Sequence, residues 1–304
     1  MTHILSALIP VFSLIVIGYF FKRIKFPSYE FWPLADKLTY HVLMPSLLIY
    51  KLSSASLKQE NSFEFVLSAI ITISLVLFAL MLINKFYKVE GSSFSSIVQG
   101  GVRFNTYVFL ALADSIYGDE GLVLAAIILT FIIPFINVIC ISVFALYVNE
   151  NKLSLKYLLK SIFTNPLIIA CFIGGSINFI SLDLPIVVNK ILAILSSAAL
   201  PLGLLSVGFG LIIRDMNSLK FEITISTFAK LILTPLIMYF MAQTFSLNSQ
   251  MTAILVIFAV LPTAPSSFVL ARQLGGDITL MSSVITVQTL LSAFFIIYAL
   301  KYIV

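Results

Sequence analysis

The chain has 304 residues, of which 60% are hydrophobic and 10% are charged, and its formal net charge is +5. Soluble domains carry about 25% charged residues, so this composition excludes a soluble protein and predicts an integral membrane protein. The longest polar stretches, near Lys85–Ser96 and Val148–Ser161, run about a dozen residues, too short for a separate soluble domain. We therefore expect a single transmembrane domain, 1–304.

Ten apolar segments are long enough to cross a bilayer, whose core needs about 20 apolar residues per helix. In chain order they are 4–21, 34–52, 63–84, 95–114, 122–148, 157–180, 186–213, 222–244, 251–272 and 279–303. Lys22, Arg23 and Lys25 follow the first apolar run instead of preceding it, which favours a retained helix over a secretory signal. Cys140 and Cys171 lie inside apolar segments, which favours packing over a disulfide or a metal site.

Lysines and arginines predict the orientation, because positive charge is retained on the cytoplasmic side. Connections after odd-numbered segments carry Lys22, Arg23, Lys25, Lys37, Lys85, Lys88, Lys152, Lys156, Lys160, Arg214, Lys220 and Arg272. The other face carries Lys51, Lys58, Lys190 and Lys301, and Arg103 and Lys230 fall within spans. We therefore expect a multi-pass protein of the cell (inner) membrane with both termini on the non-cytoplasmic side. Basic loops account for the net charge, and a nucleic acid partner is not implied.

The two halves of the chain are similar to each other. Pro10, Gly18 and Pro45 recur 156 residues later as Pro166, Gly174 and Pro201. An offset of 158 aligns Gly118-Asp119 with Gly276-Asp277, and Asn105-Thr106-Tyr107 with Thr263-Ala264-Pro265. Because each half has five segments, an odd number, the second repeat (about 157–304) enters the membrane from the side opposite to the first (about 1–148). This inverted repeat is typical of transporters whose substrate site lies near the midplane, between discontinuous helices.

Both halves are interrupted at the equivalent place. The ninth segment contains Pro262 and Pro265 about a dozen residues, or ~18 Å, from its start, close to the middle of a ~30 Å core. Each proline removes a backbone donor and frees carbonyl groups. The fourth segment contains Gly100, Gly101, Arg103, Asn105 and Thr106 within VQGGVRFNTYV. A simple kink could explain either interruption alone, whereas two at equivalent positions favour a substrate site.

Four stretches carry a family resemblance over essentially the full chain: EFWPLADKLTYHVLMPSLLIYKLS, RFNTYVFLAL, LPLGLLSVGFGL and LPTAPSSFVLARQLGGD. They resemble the auxin efflux carrier family. The resemblance implies an all-α, NhaA-like transporter fold of ten helices, in which broken helices 4 and 9 cross and move against a scaffold. Helices 2 and 7, which contain Pro45 and Pro201, belong to that scaffold. Plant members have Pro-Asn where this chain has Phe104-Asn105, and a long loop where this chain has only about Asn149–Lys156, which favours a bacterial-type member.

The resemblance also implies a function and partners. Family members move organic anions, with auxin carried by the plant branch and small dicarboxylates such as malate or malonate associated with bacterial members. The expected partners are a small organic anion, membrane lipid and a second copy of the chain, bound through helices 2 and 7. No cofactor, catalytic residue or metal is expected.

Polar residues within the spans are the candidates for binding substrate: Asn105, Thr106, Arg103, Thr263, Ser266, Asn137 and Gln288. An amide can donate to a carboxylate without burying a charge of its own, and N–H groups freed at a helix start attract anions. A helix–helix hydrogen bond is the alternative for Asn105. Arg103 either binds the anion or snorkels toward the cytoplasm, and for Lys230 snorkelling is favoured. His41 titrates near neutral pH, although a packed, hydrogen-bonded histidine is favoured there.

Other functions leave different signatures. A sodium- or proton-coupled carboxylate or bile-acid-type symporter of the same architecture is the main alternative. The acidic residues fall in loops or near helix ends, so a coupling ion would find backbone carbonyls and hydroxyls rather than a carboxylate relay. A membrane enzyme would need a nucleophile with a base or a metal cluster, and the chain has only His3 and His41 and no paired mid-membrane carboxylates. A sensor that has lost transport would bind substrate without flux.

Overall fold

The computed structural model describes residues 2–54, 61–148, 163–212 and 220–302. Every regular element in these ranges is helical. The helices are α1 Thr2–Arg23, α2 Phe31–Leu38, α3 Met44–Ser53, α4 Ser62–Tyr87, α5 Gly91–Val102, α6 Thr106–Tyr147, α7 Pro166–Phe179, α8 Ile186–Gly210, α9 Lys220–Phe228, α10 Thr234–Thr244, α11 Ser249–Val260, α12 Ser266–Leu274 and α13 Ile278–Tyr302. One π turn, Thr39–Leu43, joins α2 to α3, and another, Ala229–Leu233, joins α9 to α10.

Six helical stretches of the described chain are long and apolar enough to cross a membrane. They are Leu5–Arg23, Ser62–Tyr87, Gly91–Tyr147, Ile186–Gly210, Phe221–Thr244 and Ile278–Lys301. Gly91–Tyr147 has 57 residues, about 85 Å as one straight helix, so it is too long for a single crossing. It is divided by extended residues 103–105 and by Gly118, whose φ of 58° and ψ of −142° are not helical. An all-helical membrane protein is confirmed, and the ten-helix inverted repeat stays a prediction.

The two π turns each allow a helix to continue past a proline. Pro45 and Pro235 come two residues after these turns, as the second residues of α3 and α10. A proline has no N–H to donate, so an ordinary α-helix would leave a carbonyl unpaired there. In the second turn, the backbone N–H and the hydroxyl of Thr234 both donate to the carbonyl of Ala229, the hydroxyl at 2.6 Å. The wider turn therefore supplies a bond one residue further back, as π turns do.

The chain contacts itself as two compact units. Unit 1 comprises the described parts of 1–60, 110–133 and 160–210, and it contains α1, α2, α3, α7 and α8. Gly18 of α1 lets α8 approach closely, because a Cβ there would collide with the carbonyl group of Leu205. Gly174 of α7 does the same for α3, since a Cβ there would lie 3.1 Å from Ile49 Cα. Pro201 lies inside α8, within this unit.

Unit 2 comprises the described parts of 61–109, 134–159 and 211–304, with α4, α5 and α9 to α13. Residues 93–102 of α5 are all buried, as are residues 251–260 of α11. Gly100 and Gly101 lie in the last turn of α5, so they are helical and do not form the interruption itself. A Cβ on Gly100 would collide with the Ser226 hydroxyl, and one on Gly101 would lie 2.9 Å from Leu80. These glycines therefore serve close packing, and the break begins after them.

Some predictions fall outside the described residues. They concern the start of the sixth segment (157–162), the loop of about 149–156, and five basic residues used for orientation: Lys58, Lys152, Lys156, Lys160 and Arg214.

Candidate functional site

Two interrupted helices touch each other inside unit 2. Between α5 and α6 the backbone is extended, with φ/ψ of −75°/159° at Arg103 and −85°/105° at Asn105. Between α11 and α12 it is extended from Leu261, which has φ/ψ of −68°/149°. The backbone N–H of Asn105 donates to the carbonyl of Pro262 at 2.8 Å. The second interruption thus contains Pro262 and Pro265, whereas the first begins after Gly100 and Gly101, and a main-chain hydrogen bond joins the two.

Gln288 and Thr263 brace these two breaks. The Gln288 amide, on α13, donates to the carbonyl of Gly100 at 3.0 Å and to that of Ser226 at 3.3 Å. Its oxygen accepts from the backbone N–H of Thr263 at 2.9 Å, and the Thr263 hydroxyl donates to the carbonyl of Gln99 at 3.4 Å. Both side chains are fully buried. They satisfy backbone groups that the breaks would otherwise leave unpaired, as buried polar groups require.

Asn105 is oriented by the helix that it begins. Its side-chain oxygen accepts from the backbone N–H groups of Tyr107 at 3.1 Å and Val108 at 3.3 Å, so it caps the start of α6. Because both partners are donors, the oxygen must face them and the amide nitrogen must face away. That nitrogen is buried and has no hydrogen-bond partner among the described residues, and the residue is 1% exposed. The protein thus leaves one donor unpaired at the break.

Arg103 brings three of the predicted site residues together. Its guanidinium donates to the Asn137 side-chain oxygen and to the Ser266 hydroxyl, both at 3.3 Å. It is half-buried, and it makes no ion pair with any described residue; the ion pair found in the described chain joins Lys51 to Asp119 in unit 1. A guanidinium has five N–H donors. Arg103 therefore keeps a full charge and spare donors beside the break.

The starts of α6 and α12 offer fewer free backbone N–H groups than the sequence suggests. Thr106 is half-buried at the first residue of α6, where the Asn105 oxygen already occupies the next two N–H groups. At α12, which follows Pro265, the N–H groups of Ser267 and Phe268 bond to carbonyls of residues 264 and 265 at 3.0 Å. Most of the N–H groups expected to be free are thus occupied. The donors that remain beside the first break are on side chains, chiefly those of Arg103 and Asn105.

Sequence reasoning missed Gln99, which is fully buried in α5. Its amide nitrogen lies 3.5 Å from the carbonyl of Ser267, and its side-chain oxygen has no partner. The signal was present in the sequence, as a glutamine within an apolar segment directly before Gly100-Gly101.

Two expectations about titratable residues are corrected. Lys230 does not snorkel, since it is 1% exposed inside unit 2, with its ammonium 5.4 Å from the centre of the Phe258 ring. His41 is hydrogen-bonded through Nδ1 to the carbonyl of Lys37 at 3.0 Å, but it is exposed and not packed in a core. For both residues, hydropathy indicates how far along the apolar segment the residue lies, but not whether its side chain points into the protein or away from it.

Within the described ranges, no group of three or more His, Cys, Asp or Glu side chains is placed to hold a metal ion. Cys140 and Cys171 are both buried free thiols.

Comparison with known proteins covers nearly the whole chain. A model of a family described as membrane transport protein matches residues 3–299. The chain is 26% identical over 309 residues to the "Putative malonate transporter" of Rhizobium meliloti, across 96% of this chain and 93% of that protein. An uncharacterized transporter of Methanocaldococcus jannaschii is 24% identical, across 93% of both chains. The uncharacterized transporter YfdV of Escherichia coli K12 is 22% identical, across 90% of this chain and 89% of that protein.

Proposed function

We propose that this chain, which belongs to the membrane transport protein family, the auxin efflux carrier family, is a secondary transporter of small organic anions. The family and the names of its relatives indicate transport across a membrane rather than catalysis. Several long apolar helices agree with a multi-pass membrane protein. The substrate, the site and the mechanism are the parts that we propose.

The observation that carries the proposal is a set of unmatched donors at the two touching breaks. The buried amide nitrogen of Asn105 has no acceptor, and the Arg103 guanidinium has no carboxylate partner among the described residues. An unpaired buried donor costs about 1–3 kcal/mol, so a ligand that supplies an acceptor there regains that energy. A carboxylate offers only acceptors and matches the planar fork of a guanidinium. An organic carboxylate is therefore the ligand that this chemistry fits best.

We propose a small dicarboxylate, malonate-like or malate-like, with one carboxylate held by Arg103 and Asn105. A relative with 26% identity carries malonate in its name, which supports this choice. Thr106, Ser266 and Asn137 supply hydroxyl and amide groups around the same arginine, while Thr263 and Gln288 keep the breaks in place. An auxin-like monocarboxylate is the other substrate to test.

The architecture that we propose is one transporter domain of ten helices in two inverted repeats, about 1–148 and 157–304, with an NhaA-like fold. A repeated contact supports it. Gly18 packs against the backbone of Leu205, and Gly174 packs against the backbone of Ile49. Gly174 lies 156 positions after Gly18, and Leu205 lies 156 positions after Ile49, so the offset of the sequence repeat relates the two contacts. Equivalent residues in the two halves therefore pack in equivalent ways.

In such a carrier the substrate is reached from one side of the membrane and then from the other. We propose that it lies in the cell (inner) membrane with both termini on the non-cytoplasmic side, and that it forms a homodimer through helices 2 and 7. Exposed apolar side chains on both helices support the dimer, for example Leu34 on α2 and Ile194 on α8.

Counterflow in liposomes tests the proposed function. The purified protein is reconstituted in vesicles loaded with an unlabelled carboxylate, and entry of the same labelled carboxylate is followed for malonate, malate, acetate and an auxin. We expect transient accumulation of a dicarboxylate, absent from protein-free vesicles and greatly reduced for Arg103→Gln. A folded protein that exchanges none of these anions would contradict the proposal. Repeating the assay with and without sodium distinguishes a sodium-coupled symporter.

A further inference from the structure

Lys230 is a buried amine for which the described part of the chain provides no counter-charge. It lies in the π turn between α9 and α10 and is 1% exposed. Its ammonium lies 5.4 Å from the centre of the Phe258 ring, and no hydrogen bond or ion pair from it to another described residue is found. A cation–π contact contributes about 0.5–2 kcal/mol. That is less than the several kcal/mol that removing an ammonium from water costs.

The helices packed against this turn provide no described carboxylate that pairs with Lys230. These are α4, α5, α11 and α13, together with the two helices that the turn joins. Their described carboxylates are Glu64, in the first turn of α4, and Glu222, in the first turn of α9. Their other titratable side chains that the structure describes are Lys85, Tyr87, Tyr239, Tyr298 and Lys301, and Arg103 directly follows α5. None of these forms an ion pair with Lys230, so no carboxylate of the described ranges balances a charge on its amine.

Lys230 is also close to the proposed anion site. The Phe258 ring that it faces packs against Phe104, with ring centres 4.5 Å apart, and Phe104 directly precedes Asn105. The rings of Phe258 and Phe104 thus connect the amine to the first break. All three side chains are buried, and a charge at the break acts more strongly on a buried amine than it would in water, because the effective dielectric constant of a protein interior is lower.

Lysine and arginine differ in how readily each side chain loses its proton. A guanidinium keeps its proton in any protein environment, whereas a lysine removed from water can exist as the neutral amine. Arg103 is therefore a permanent charge at the break, and Lys230 is a group that can gain or lose a charge.

We propose that Lys230 couples anion transport to protons. Its amine is neutral while the break is empty and takes one proton from water when an anion occupies the break. It returns that proton when the anion leaves. The step forms one N–H bond and breaks one O–H bond of a hydronium ion, so it needs no other reactant. By reciprocity the bound proton strengthens anion binding as much as the anion strengthens proton binding. This inference rests on the proposed function.

Proton uptake on binding is the test. Malonate is titrated into the purified full-length protein by calorimetry, in buffers of different ionisation enthalpy, between about pH 7 and pH 9, where its carboxylates are ionised. Wild-type protein is expected to take up about one proton per malonate, so that its affinity falls up to ~tenfold per pH unit. Lys230→Arg keeps the charge but should take up no proton and bind with little pH dependence. Lys230→Met should also take up none and bind more weakly. Lys190→Met, at an exposed position of unit 1, should behave like wild type.

Each outcome decides a separate question. Malonate binding without proton uptake in the wild type overturns the role of Lys230 and leaves the proposed function intact. Proton uptake by Lys230→Arg equal to that of the wild type would also overturn the role of Lys230 and leave the proposed function intact. If Lys230→Met does not fold, the comparison of Lys230→Arg with the wild type still tests the proposal. If the folded wild-type protein binds no malonate, the dicarboxylate assignment fails, and the coupling fails with it.

Discussion

Asn105 uses one end of its amide for the protein and leaves the other end unpaired. The oxygen holds the first turn of α6, and this fixes the nitrogen in the opposite direction, where it is buried without an acceptor. The sequence predicts a functional amide from its place in the fourth segment. It does not predict the cap, because capping depends on the helix beginning at Thr106. Lys230 shows the same limit, since burial in unit 2 follows from its neighbours in space and not from its place in the segment.

The two roles of Asn105 can be separated by substitution. Asn105→Ala and Asn105→Ser both remove the amide donor, so each should weaken anion binding about ten- to a hundredfold, or ~1–3 kcal/mol. Only serine can still cap α6, so alanine alone should lose about 1 kcal/mol of stability. Asn105→Asp keeps a cap but sets a like charge against the anion, so it should bind worst. Affinity is measured by calorimetry and stability by thermal unfolding in detergent. Wild-type affinity in Asn105→Ser would show that the residue is only a cap.

The two broken helices are interrupted by different means. The break between α11 and α12 contains Pro262 and Pro265, whereas the break after α5 contains no proline and depends on the Asn105 cap. The sequence therefore predicts the break in the ninth segment well, because a proline cannot donate the backbone hydrogen bond that continues a helix. Gly100 and Gly101 misled the prediction, since a glycine that breaks a helix and a glycine that lets helices approach look alike in one sequence. The sequence does not predict the π turns, because hydropathy carries no information on the hydrogen-bond spacing within a helix.

Replacing Pro262 and Pro265 by alanine tests the break in the ninth segment. Alanine restores two N–H groups and allows α11 and α12 to join, which would displace the Pro262 carbonyl from the Asn105 N–H. We expect anion binding and counterflow to fall while thermal stability stays the same or rises. A double variant that binds and transports like wild type would mean that these prolines are packing features and that the substrate site lies elsewhere.

Neighbouring glycines of α7 provide a matched test of helix packing. A Cβ at Gly174 would lie 2.9 Å from Leu52 Cβ and 3.1 Å from Ile49 Cα, whereas one at Gly175 meets nothing within 4 Å. Gly174→Ala should therefore destabilise the protein by about 1–3 kcal/mol through overpacking. Gly175→Ala should be neutral or stabilise it by about 0.5–1 kcal/mol, since alanine favours helix. Gly18→Ala should resemble Gly174→Ala if the halves are repeats. Equal thermal stability of all three variants would contradict this packing.

At the scale of the whole molecule, composition and hydropathy were sufficient to predict an all-helical membrane protein. The family was recognised from four stretches of sequence, and the match over residues 3–299 confirms it. The division into two compact units was not predicted. It depends on which distant segments pack together, as α1 packs with α8, and a single sequence carries no direct record of such pairs. The orientation and the oligomeric state remain predictions, each with its own measurement.

Single cysteines test the orientation. With Cys140 and Cys171 replaced, a cysteine at Asn151 or Ser218 should be protected from an impermeant thiol reagent in right-side-out cells, and one at Gln59 should react. These positions lie in connections assigned to opposite faces by the distribution of lysine and arginine. Reaction of all three from outside the cell would contradict ten membrane crossings.

Native mass spectrometry tests the dimer. In a mild detergent we expect the mass of two chains, and charged substitutions at Leu34 and Ile194 should reduce it to one. Both side chains are exposed within the chain, so such substitutions need not disturb its core. A monomer as the sole species of the wild-type protein would indicate that these faces meet lipid.

The central claim is that a carboxylate binds where the two breaks touch, and a cryo-electron microscopy map with bound bromomalonate tests it most directly. We expect ligand density with one carboxylate about 2.7–3.2 Å from the Asn105 amide nitrogen and from the Arg103 guanidinium. Density at another position, with both groups still arranged as in the free protein, would contradict the claim.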